Sequence, residues 1–180
     1  MFKKIAIGVI VIGLALGAYL AFGKPWKTFC PGIESNDLTH LDKRLQKKVE
    51  KIIETLTKEG FDFNISSTYR SPEKQQCYYD ISQVIKKVTG QNGLTTVTKS
   101  CHNNTVKGTK SSLAIDIHSF SGSIEDQATF YKRLRDLADK EGLQSGANFK
   151  KSNPMWAKYD LGWDPGHIQV SGCKSKIKLQ

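Results

Sequence analysis

The chain is poor in the residues that mark several non-globular classes of protein. It has 5 Pro and 15 Gly among 180 residues, which leaves no room for a long low-complexity linker or a collagen-like segment. No internal repeat is present, and no Cys-x-x-Cys spacing supports a zinc ribbon or a thioredoxin motif. With 38% apolar and 24% charged residues, the composition excludes wholesale disorder. The length predicts one domain that buries a sufficient core without metal or disulfides.

Acidic residues are scarce relative to basic ones, with 17 Asp and Glu against 27 Lys and Arg, and the formal net charge is +10. Such an excess attracts anionic partners, for example nucleic acid or a cell envelope rich in phosphate and carboxylate groups. No helix-turn-helix, RNP or zinc-finger pattern accompanies the charge. We therefore expect no nucleic acid among the partners.

Charge is absent from one long stretch, Ile5 to Gly23, which has lysines directly before and after it. Nineteen helical residues cover about 28 Å, close to the thickness of one hydrocarbon core. The lysines before the stretch predict a cytoplasmic N-terminus and an exported body. An uncleaved signal-anchor is favoured because the stretch is longer than a usual signal core, although Ala21-Phe22-Gly23 would also suit cleavage of a signal peptide. Residues 1–23 are predicted to be this single-pass segment, placing the body on the extracytoplasmic side of an inner or cytoplasmic membrane.

The remainder divides into a short connection and a globular part. Residues 24–37 are predicted to be a tether, because Pro25, Pro31 and Gly32 interrupt regular structure. Residues 38–180 are predicted to form the domain. All four cysteines follow the apolar stretch: Cys30, Cys77, Cys101 and Cys173. Two disulfides are expected in an exported chain, and the sequence leaves three connectivities open.

Hydrophobic periodicity and capping residues predict helices alternating with strands over the domain. The predicted order is helix Thr39–Glu59, strand Phe63–Thr68, helix Ser71–Lys87, strand Leu113–His118, helix Ser123–Glu141 and strand His167–Val170. This order indicates a small α+β domain whose polar residues gather at strand ends and in loops.

Histidine is also scarce, and the chain has four: His40, His102, His118 and His167. The first begins a helix and is expected at the surface. His118 and His167 each lie close in sequence to a carboxylate, Asp116 and Asp164, while His102 lies in a polar loop. Imidazole nitrogens and a carboxylate are the ligands of catalytic zinc, and a second carboxylate outside the metal shell would serve as general base. Taken alone, Asp164 is also consistent with a simple turn residue.

Several ordered segments together resemble one known family. They are Ser67-Thr68-Tyr69-Arg70-Ser71 with Gln75 and Gln76 after it, Ser100-Cys101-His102, Ala114-Ile115-Asp116, and Asp164-Pro165-Gly166-His167. In this order they resemble the zinc D-alanyl-D-alanine carboxypeptidases, in the VanY-type and L-alanyl-D-glutamate endopeptidase branch, which trims peptidoglycan stem peptides. The likeness covers about Leu38 to Val170. It implies a small mixed α/β domain with a central antiparallel sheet flanked by helices, and zinc (Zn2+) as cofactor.

The resemblance also implies roles for individual residues. His102, Asp116 and His167 would hold zinc, and Asp164 would be the general base. Arg70 would bind the substrate carbonyl or its terminal carboxylate. The substrate-binding residues implied beside these are Arg70, Gln76, Ser112 and Trp163.

The sequence departs from the family pattern before the metal aspartate. The first histidine usually stands seven residues before it, whereas His102 stands fourteen residues before Asp116, and Ser112 replaces a glycine. We interpret residues 103–110 as a lengthened loop that still brings His102 to the metal, with His118 as the alternative ligand. A Cys77–Cys101 disulfide would pin this loop near the metal, so we expect that pair together with Cys30–Cys173. A second insertion, about 150–162, could wall the substrate groove.

The expected function is therefore zinc-dependent hydrolysis of peptidoglycan stem peptides, by a monomer held at the membrane through its N-terminal helix. The sequence leaves open whether the bond is D-Ala-D-Ala, L-Ala-D-Glu or one in a cross-bridge. Two alternatives also remain: an impaired peptidoglycan-binding module of the same fold, suggested by the displaced His102, and a phage endolysin released from its signal-anchor.

Overall fold

A computed structural model describes residues 29–90, 93–120, 122–149 and 154–173. The predicted membrane segment, residues 1–23, lies outside this part of the chain, as do residues 24–28 of the predicted tether and residues 150–153 of the second insertion. Of the helices in the described ranges, none combines the length and the apolar character that crossing a bilayer requires.

The centre of the domain is a four-stranded antiparallel sheet, which confirms the expected α+β class. The strands are β1 (Glu34–Ser35), β2 (Phe63–Ser67), β3 (Tyr69–Arg70), β4 (Thr105–Val106), β5 (Thr109–Lys110), β6 (Ala114–Ser119), β7 (Leu143–Ser145) and β8 (His167–Val170). The central sheet has the order β2-β6-β8-β7, and β1-β3 and β4-β5 form separate two-stranded pairs. The sequence did not predict these pairs or β7, because strands of two or three residues carry too little alternation to be recognised.

Three helices accompany the sheet at the expected places, and a fourth, short helix lies in the second insertion, where the sequence predicted none. They are α1 (Lys43–Lys58), α2 (Pro72–Thr89), α3 (Ile124–Lys140) and α4 (Pro154–Ala157), with 3-10 turns at Leu38–His40, Cys101–Asn103 and Gly146–Asn148. The first helix begins later than predicted because Asp42 caps it, its Oδ1 accepting from the Arg44 backbone N–H at 3.0 Å. Ser71 and Ser123 cap α2 and α3 in the same way.

The core lies between α1, α3 and one face of the sheet. The buried positions of α1 recur at helical spacing and meet α3 and β6; they are Leu45, Val49, Ile52 and Leu56. From β6, Ile115 and Ile117 are fully buried in this cluster. Burying each such side chain contributes about 1.5–3 kcal/mol. Because side chains alternate along a strand, the packing of these two isoleucines turns Asp116 to the opposite face.

The disulfides differ from the expected pairing. Cys30 bonds to Cys77, and Cys101 bonds to Cys173, with Cα–Cα distances of 5.6 and 5.9 Å. The expected Cys77–Cys101 and Cys30–Cys173 pairs are therefore wrong. The reason is tertiary: the segment after Cys30 runs beside the start of α2, which carries Cys77. The Cys101 and Val170 backbones both bond to Leu113, which brings the end of β8 to the loop.

Candidate active site

Three potential metal ligands converge on the face of the sheet opposite the core. Asp116 in β6 and His167 at the start of β8 are directly paired across the strands. His167 Nδ1 lies 2.8 Å and His102 Nε2 lies 3.2 Å from the same carboxylate oxygen, Asp116 Oδ1. The two ring nitrogens are 3.4 Å apart. Both histidines are buried, so the three side chains form a compact cluster.

A hairpin explains how His102 reaches this cluster from fourteen residues away. The extra residues fold back on themselves as β4 and β5, and the hairpin is closed by Asn104, whose Nδ2 donates to the Ser111 carbonyl at 2.6 Å. Next to His102, Asn103 Nδ2 donates to the Arg70 carbonyl at 2.6 Å. The lengthened loop therefore brings His102 to Asp116.

Each histidine is oriented by a partner on its other ring nitrogen. His102 Nδ1 lies 3.2 Å from the Thr68 carbonyl, which can only accept, so this nitrogen carries the proton. His167 Nε2 lies 3.0 Å from Gln169 Oε1, and Gln169 Nε2 in turn donates to Gln144 Oε1 at 2.7 Å. These contacts direct His102 Nε2 and His167 Nδ1 toward Asp116 as candidate metal-binding atoms.

The cluster fits zinc in both chemistry and size. Ligand atoms placed tetrahedrally at zinc–nitrogen and zinc–oxygen bond lengths are about 3.3 Å from one another. The three observed separations of 2.8, 3.2 and 3.4 Å are near this value. Two imidazoles and one carboxylate form a three-ligand set, which in catalytic zinc sites leaves a fourth position for water or substrate.

The carboxylate and the imidazoles of the cluster shift one another's pKa values. Burial alone would raise the pKa of Asp116, but the adjacent His102 and His167 outweigh it and hold the pKa well below its usual range. Burial alone would lower the pKa of His167, but the hydrogen bond and charge of Asp116 raise it to about 9. Without metal, the carboxylate is thus paired with a protonated imidazole.

Asp164 lies at the edge of the same cluster. Its backbone carbonyl accepts from the His167 N–H at 3.0 Å, which fixes the turn that joins the two residues. The turn passes so close to Gly146 that a Cβ there would lie 2.0 Å from the Asp164 carbonyl oxygen, so only glycine fits. Burial raises the pKa of the Asp164 carboxyl, and the nearby charge of Asp116 raises it further. A carboxyl with a raised pKa beside a metal cluster suits proton transfer.

Arg70 forms the other wall of the site. Its Nη2 lies 3.7 Å from Asp116 Oδ2, and the guanidinium also forms an ion pair with Glu34. Arg70 is thus paired with a carboxylate on the N-terminal side of the domain and also lies beside the candidate metal cluster.

These side chains share one open cavity of about 510 Å³. Arg70 and Asp164 line it together with the three clustered residues, and Trp163 and Phe149 add aromatic surface. Lys99 adds a second positive charge. The cavity therefore combines a candidate metal cluster, a candidate base and cationic groups suited to a carboxylate.

Comparison with solved structures identifies the fold. A structure of VanYB in complex with D-alanine-D-alanine is similar, with a TM-score of 0.50, 18% identity, and coverage of 75% of this chain and 74% of VanYB. The chain has the VanYB fold. The L-Ala D-Glu endopeptidase ChiX of Serratia marcescens is also similar, with a TM-score of 0.46, 15% identity, and coverage of 77% of this chain and 86% of ChiX. The D,D-pentapeptidase VanY in complex with Zn(II) has a TM-score of 0.46 and 20% identity, with coverage of 76% of this chain and 77% of VanY. No protein-family model and no curated protein matches the sequence.

Within this VanYB fold, not every predicted site residue reaches the cavity. Trp163 does, but Gln76 is exposed and its amide donates to Asp80 at 2.8 Å. The neighbouring Gln75 does not line the cavity either, but it supports Arg70: it is fully buried and its Oε1 accepts from Arg70 Nη1 at 3.0 Å. The reason is helical phase, because one residue along a helix rotates the side chain by about 100°.

Ser112 and His118 are two further candidates from the sequence. Ser112 is fully buried and its hydroxyl donates to the Ala114 carbonyl at 2.9 Å, so it supports the start of β6 and does not line the cavity. His118 lies outside the cluster, with Nδ1 at 3.3 Å from the Tyr131 hydroxyl. The geometry therefore favours His102 over His118 as the third candidate ligand.

Sequence reasoning missed Gln169, Gln144 and Glu34, which support the candidate site. Gln169 could have been found, because it follows His167 by two residues on a strand and must share its face. Gln144 and Glu34 lie in very short strands, where no periodic signal exists. Only the tertiary structure connects these two residues with the site.

Proposed function

We propose that the protein is a zinc-dependent peptidase that hydrolyses peptide bonds in peptidoglycan stem peptides. The observation that supports this most directly is the convergence of His102 Nε2, His167 Nδ1 and Asp116 Oδ1 in a cavity shared with Asp164 and Arg70. The likeness to VanYB, whose structure contains D-alanine-D-alanine, supports the substrate class.

In this proposal His102, Asp116 and His167 hold the metal. When bound, zinc would lower the pKa of a bound water to roughly 7 and polarise the scissile carbonyl. Asp164 accepts the proton of the attacking water and returns it to the amine that leaves when the C–N bond breaks. A carboxylate positioned in this way contributes about 100- to 10,000-fold to the rate.

Arg70 recognises the substrate. Its guanidinium presents a planar fork of donors that matches either a carboxylate or the developing oxyanion of the scissile carbonyl. Lys99, which is exposed at the cavity, adds attraction for an anionic peptide. The proposal therefore favours stem peptides with a carboxylate close to the bond that is cut.

The alternative of an inactive wall-binding module was suggested by the unusual spacing of His102. The β4–β5 hairpin removes that reason, because it brings His102 Nε2 to 3.2 Å from Asp116. The geometry therefore favours an enzyme. Residues 1–23 lie outside the described structure, so the extracytoplasmic membrane location and a phage signal-anchor-release role stay predictions from sequence alone.

The function is tested by incubating the zinc-loaded full chain in detergent with purified sacculi and identifying the products by mass. We expect stem peptides to be shortened, the reaction to stop with a chelator, and zinc to restore it. The product masses also identify the bond, since loss of a terminal alanine and release of a whole stem from L-alanine differ. Intact peptides after treatment with protein that has bound zinc stoichiometrically would rule out the proposal.

A further inference from the structure

The segment predicted as a tether contributes directly to the active site. Residues 30–37, here called the N-terminal strap, run antiparallel to β3, with Glu34 paired to Arg70. The Ser71 N–H donates to the Ile33 carbonyl at 2.8 Å, and the Thr68 N–H donates to the Ser35 carbonyl at 2.6 Å. The strap is thus hydrogen-bonded on both sides of Arg70.

The Glu34 carboxylate is hydrogen-bonded to both Arg70 and Tyr78. Its Oε1 accepts from Arg70 Nε at 3.1 Å and from Nη2 at 2.9 Å. Its Oε2 accepts from the Tyr78 hydroxyl at 2.8 Å. Only 11% of the Glu34 side chain and 13% of the Arg70 side chain are exposed, so solvent screens this pair weakly.

The rest of the guanidinium is held as well. Gln75 Oε1 accepts from Arg70 Nη1 at 3.0 Å, and the Gln75 amide is itself fixed because Nε2 donates to the Val97 carbonyl at 2.7 Å. The Tyr78 ring lies under the guanidinium, 4.9 Å from its central carbon. Arg70 is therefore fixed in one orientation, with Nη2 directed toward Asp116 at 3.7 Å.

One covalent bond ties the strap to this arrangement. Cys30, at the start of the strap, is bonded to Cys77 on α2, next to Tyr78. The Cys30 carbonyl also accepts from Lys74 Nζ at 3.2 Å. A two-residue strand such as β1 has little stability of its own, and the disulfide adds a covalent restraint four residues before Glu34.

We propose that Glu34 is a positioning residue for Arg70, and that the Cys30–Cys77 disulfide is needed to keep it in place. The N-terminal strap is then part of the substrate-binding site. An arginine that is already oriented loses less conformational freedom when it binds a carboxylate. If Arg70 is no longer held in its orientation, substrate binding should therefore weaken. This inference rests on the proposed function of the same cavity.

The test is a double-mutant cycle with the zinc-loaded full chain and a stem pentapeptide ending in D-alanyl-D-alanine. We expect Glu34→Ala to raise KM by about 10-fold or more, with a much smaller change in kcat, because orientation acts chiefly on binding. Glu34→Gln keeps one acceptor oxygen and should recover most of the affinity. In an Arg70→Ala background, Glu34→Ala should have no further effect, since the two residues act as a unit.

Two matched variants make the result specific. Glu54→Ala removes an exposed carboxylate that pairs with Lys58 on α1, and it should leave KM unchanged. Replacing Cys30 and Cys77 together by Ser should raise KM as Glu34→Ala does, with zinc still bound. Serine variants are used because a reductant would also open the Cys101–Cys173 disulfide beside His102.

A second measurement separates this inference from the proposed function. The Arg70 Nε–H proton, bonded to Glu34, should give a slowly exchanging NMR signal that disappears in Arg70→Lys and exchanges quickly in Glu34→Ala. If no stem peptide is cleaved but this signal behaves as expected, the proposed function fails while the positioning of Arg70 stands. If peptide is cleaved, and Glu34→Ala changes neither KM nor the signal, or its effects add to those of Arg70→Ala, the inference is overturned.

Discussion

His167 and Gln169 face the same side of β8, and the ring Nε2 of His167 lies 3.0 Å from the amide oxygen of Gln169. The amide nitrogen of Gln169 is committed to Gln144 Oε1 at 2.7 Å, so its oxygen is left to accept the His167 proton. A proton retained on Nε2 leaves Nδ1 as the nitrogen that faces Asp116. The two glutamines thus set which nitrogen of His167 can bind a metal.

Replacing Gln169 should weaken zinc binding without unfolding the protein. We expect Gln169→Ala to lower zinc affinity by about 10- to 100-fold, the usual effect of losing a partner behind a metal-binding histidine. Gln169→Glu retains an acceptor oxygen and should bind zinc at least as well as the Ala variant. Competition with a chromogenic chelator measures the affinity. Gln76→Ala, an exposed glutamine on α2, is the control, and equal affinities for all variants would contradict the role of Gln169.

The two candidate histidines should respond differently to substitution. His102→Ala removes a nitrogen that lies 3.2 Å from Asp116, so bound zinc and activity should be lost together. His118→Ala removes a ring that contacts the Tyr131 hydroxyl, so zinc should remain at full stoichiometry. Metal analysis after dialysis, by mass spectrometry, makes the comparison. Zinc lost from the His118 variant and kept by the His102 variant would reverse the assignment.

The candidate ligands could be predicted from the sequence because each sits in a local pattern. Asp116 interrupts an alternating apolar strand, and His167 follows Asp164 at a fixed spacing. Both residues can therefore be recognised even when the predicted ends of the strands are slightly wrong. His102 was recoverable because the loop insertion forms its own hairpin. An insertion that folds locally, as β4 and β5 do, changes the spacing between two ligands without changing where they meet.

Apart from Gln169, the supporting residues could not be predicted because their contacts are not local. Glu34 meets Arg70 through a two-residue strand within a segment broken by proline and glycine. Gln75 was passed over for Gln76 because helix phase is not fixed to one residue by the sequence pattern alone. The disulfide pairing depends on which segments pack side by side, and Cys30 lies beside Cys77 only because the strap follows β3.

Zinc affinity should rise with pH. Burial alone would lower the pKa of His167, but Asp116 outweighs it and raises the pKa to about 9 in the metal-free protein. Below that pH, zinc must displace the Nδ1 proton, so affinity should rise by about tenfold per pH unit from about pH 7 and level off above about pH 9. Chelator competition across this range measures it. An affinity that is flat above neutral pH would show that His167 is already neutral.

The same raised pKa of His167 predicts how the stability of the metal-free protein changes with pH. The unfolded pKa of a histidine is about 6.5, so the His167–Asp116 pair contributes its full stabilisation below that pH and loses it as pH rises through about 9. With chelator present, the thermal unfolding midpoint should therefore decrease as the pH rises over this interval. His167→Gln should abolish this decrease. A decrease of equal size in the variant would show that another group causes it.

Asp164→Asn is the sharpest test of the mechanism. Asparagine keeps the shape of aspartate and can maintain the turn before His167, but it cannot accept a proton near neutral pH. Since Asp164 is proposed as base and not as ligand, the variant should keep its zinc and its thermal midpoint, while kcat falls by at least about 100-fold. Asp160→Asn is the matched control, because Asp160 lies four residues earlier with a fully exposed side chain. Zinc loss from Asp164→Asn would instead make Asp164 a ligand, and near-full activity would reduce it to a turn residue whose backbone carbonyl alone matters.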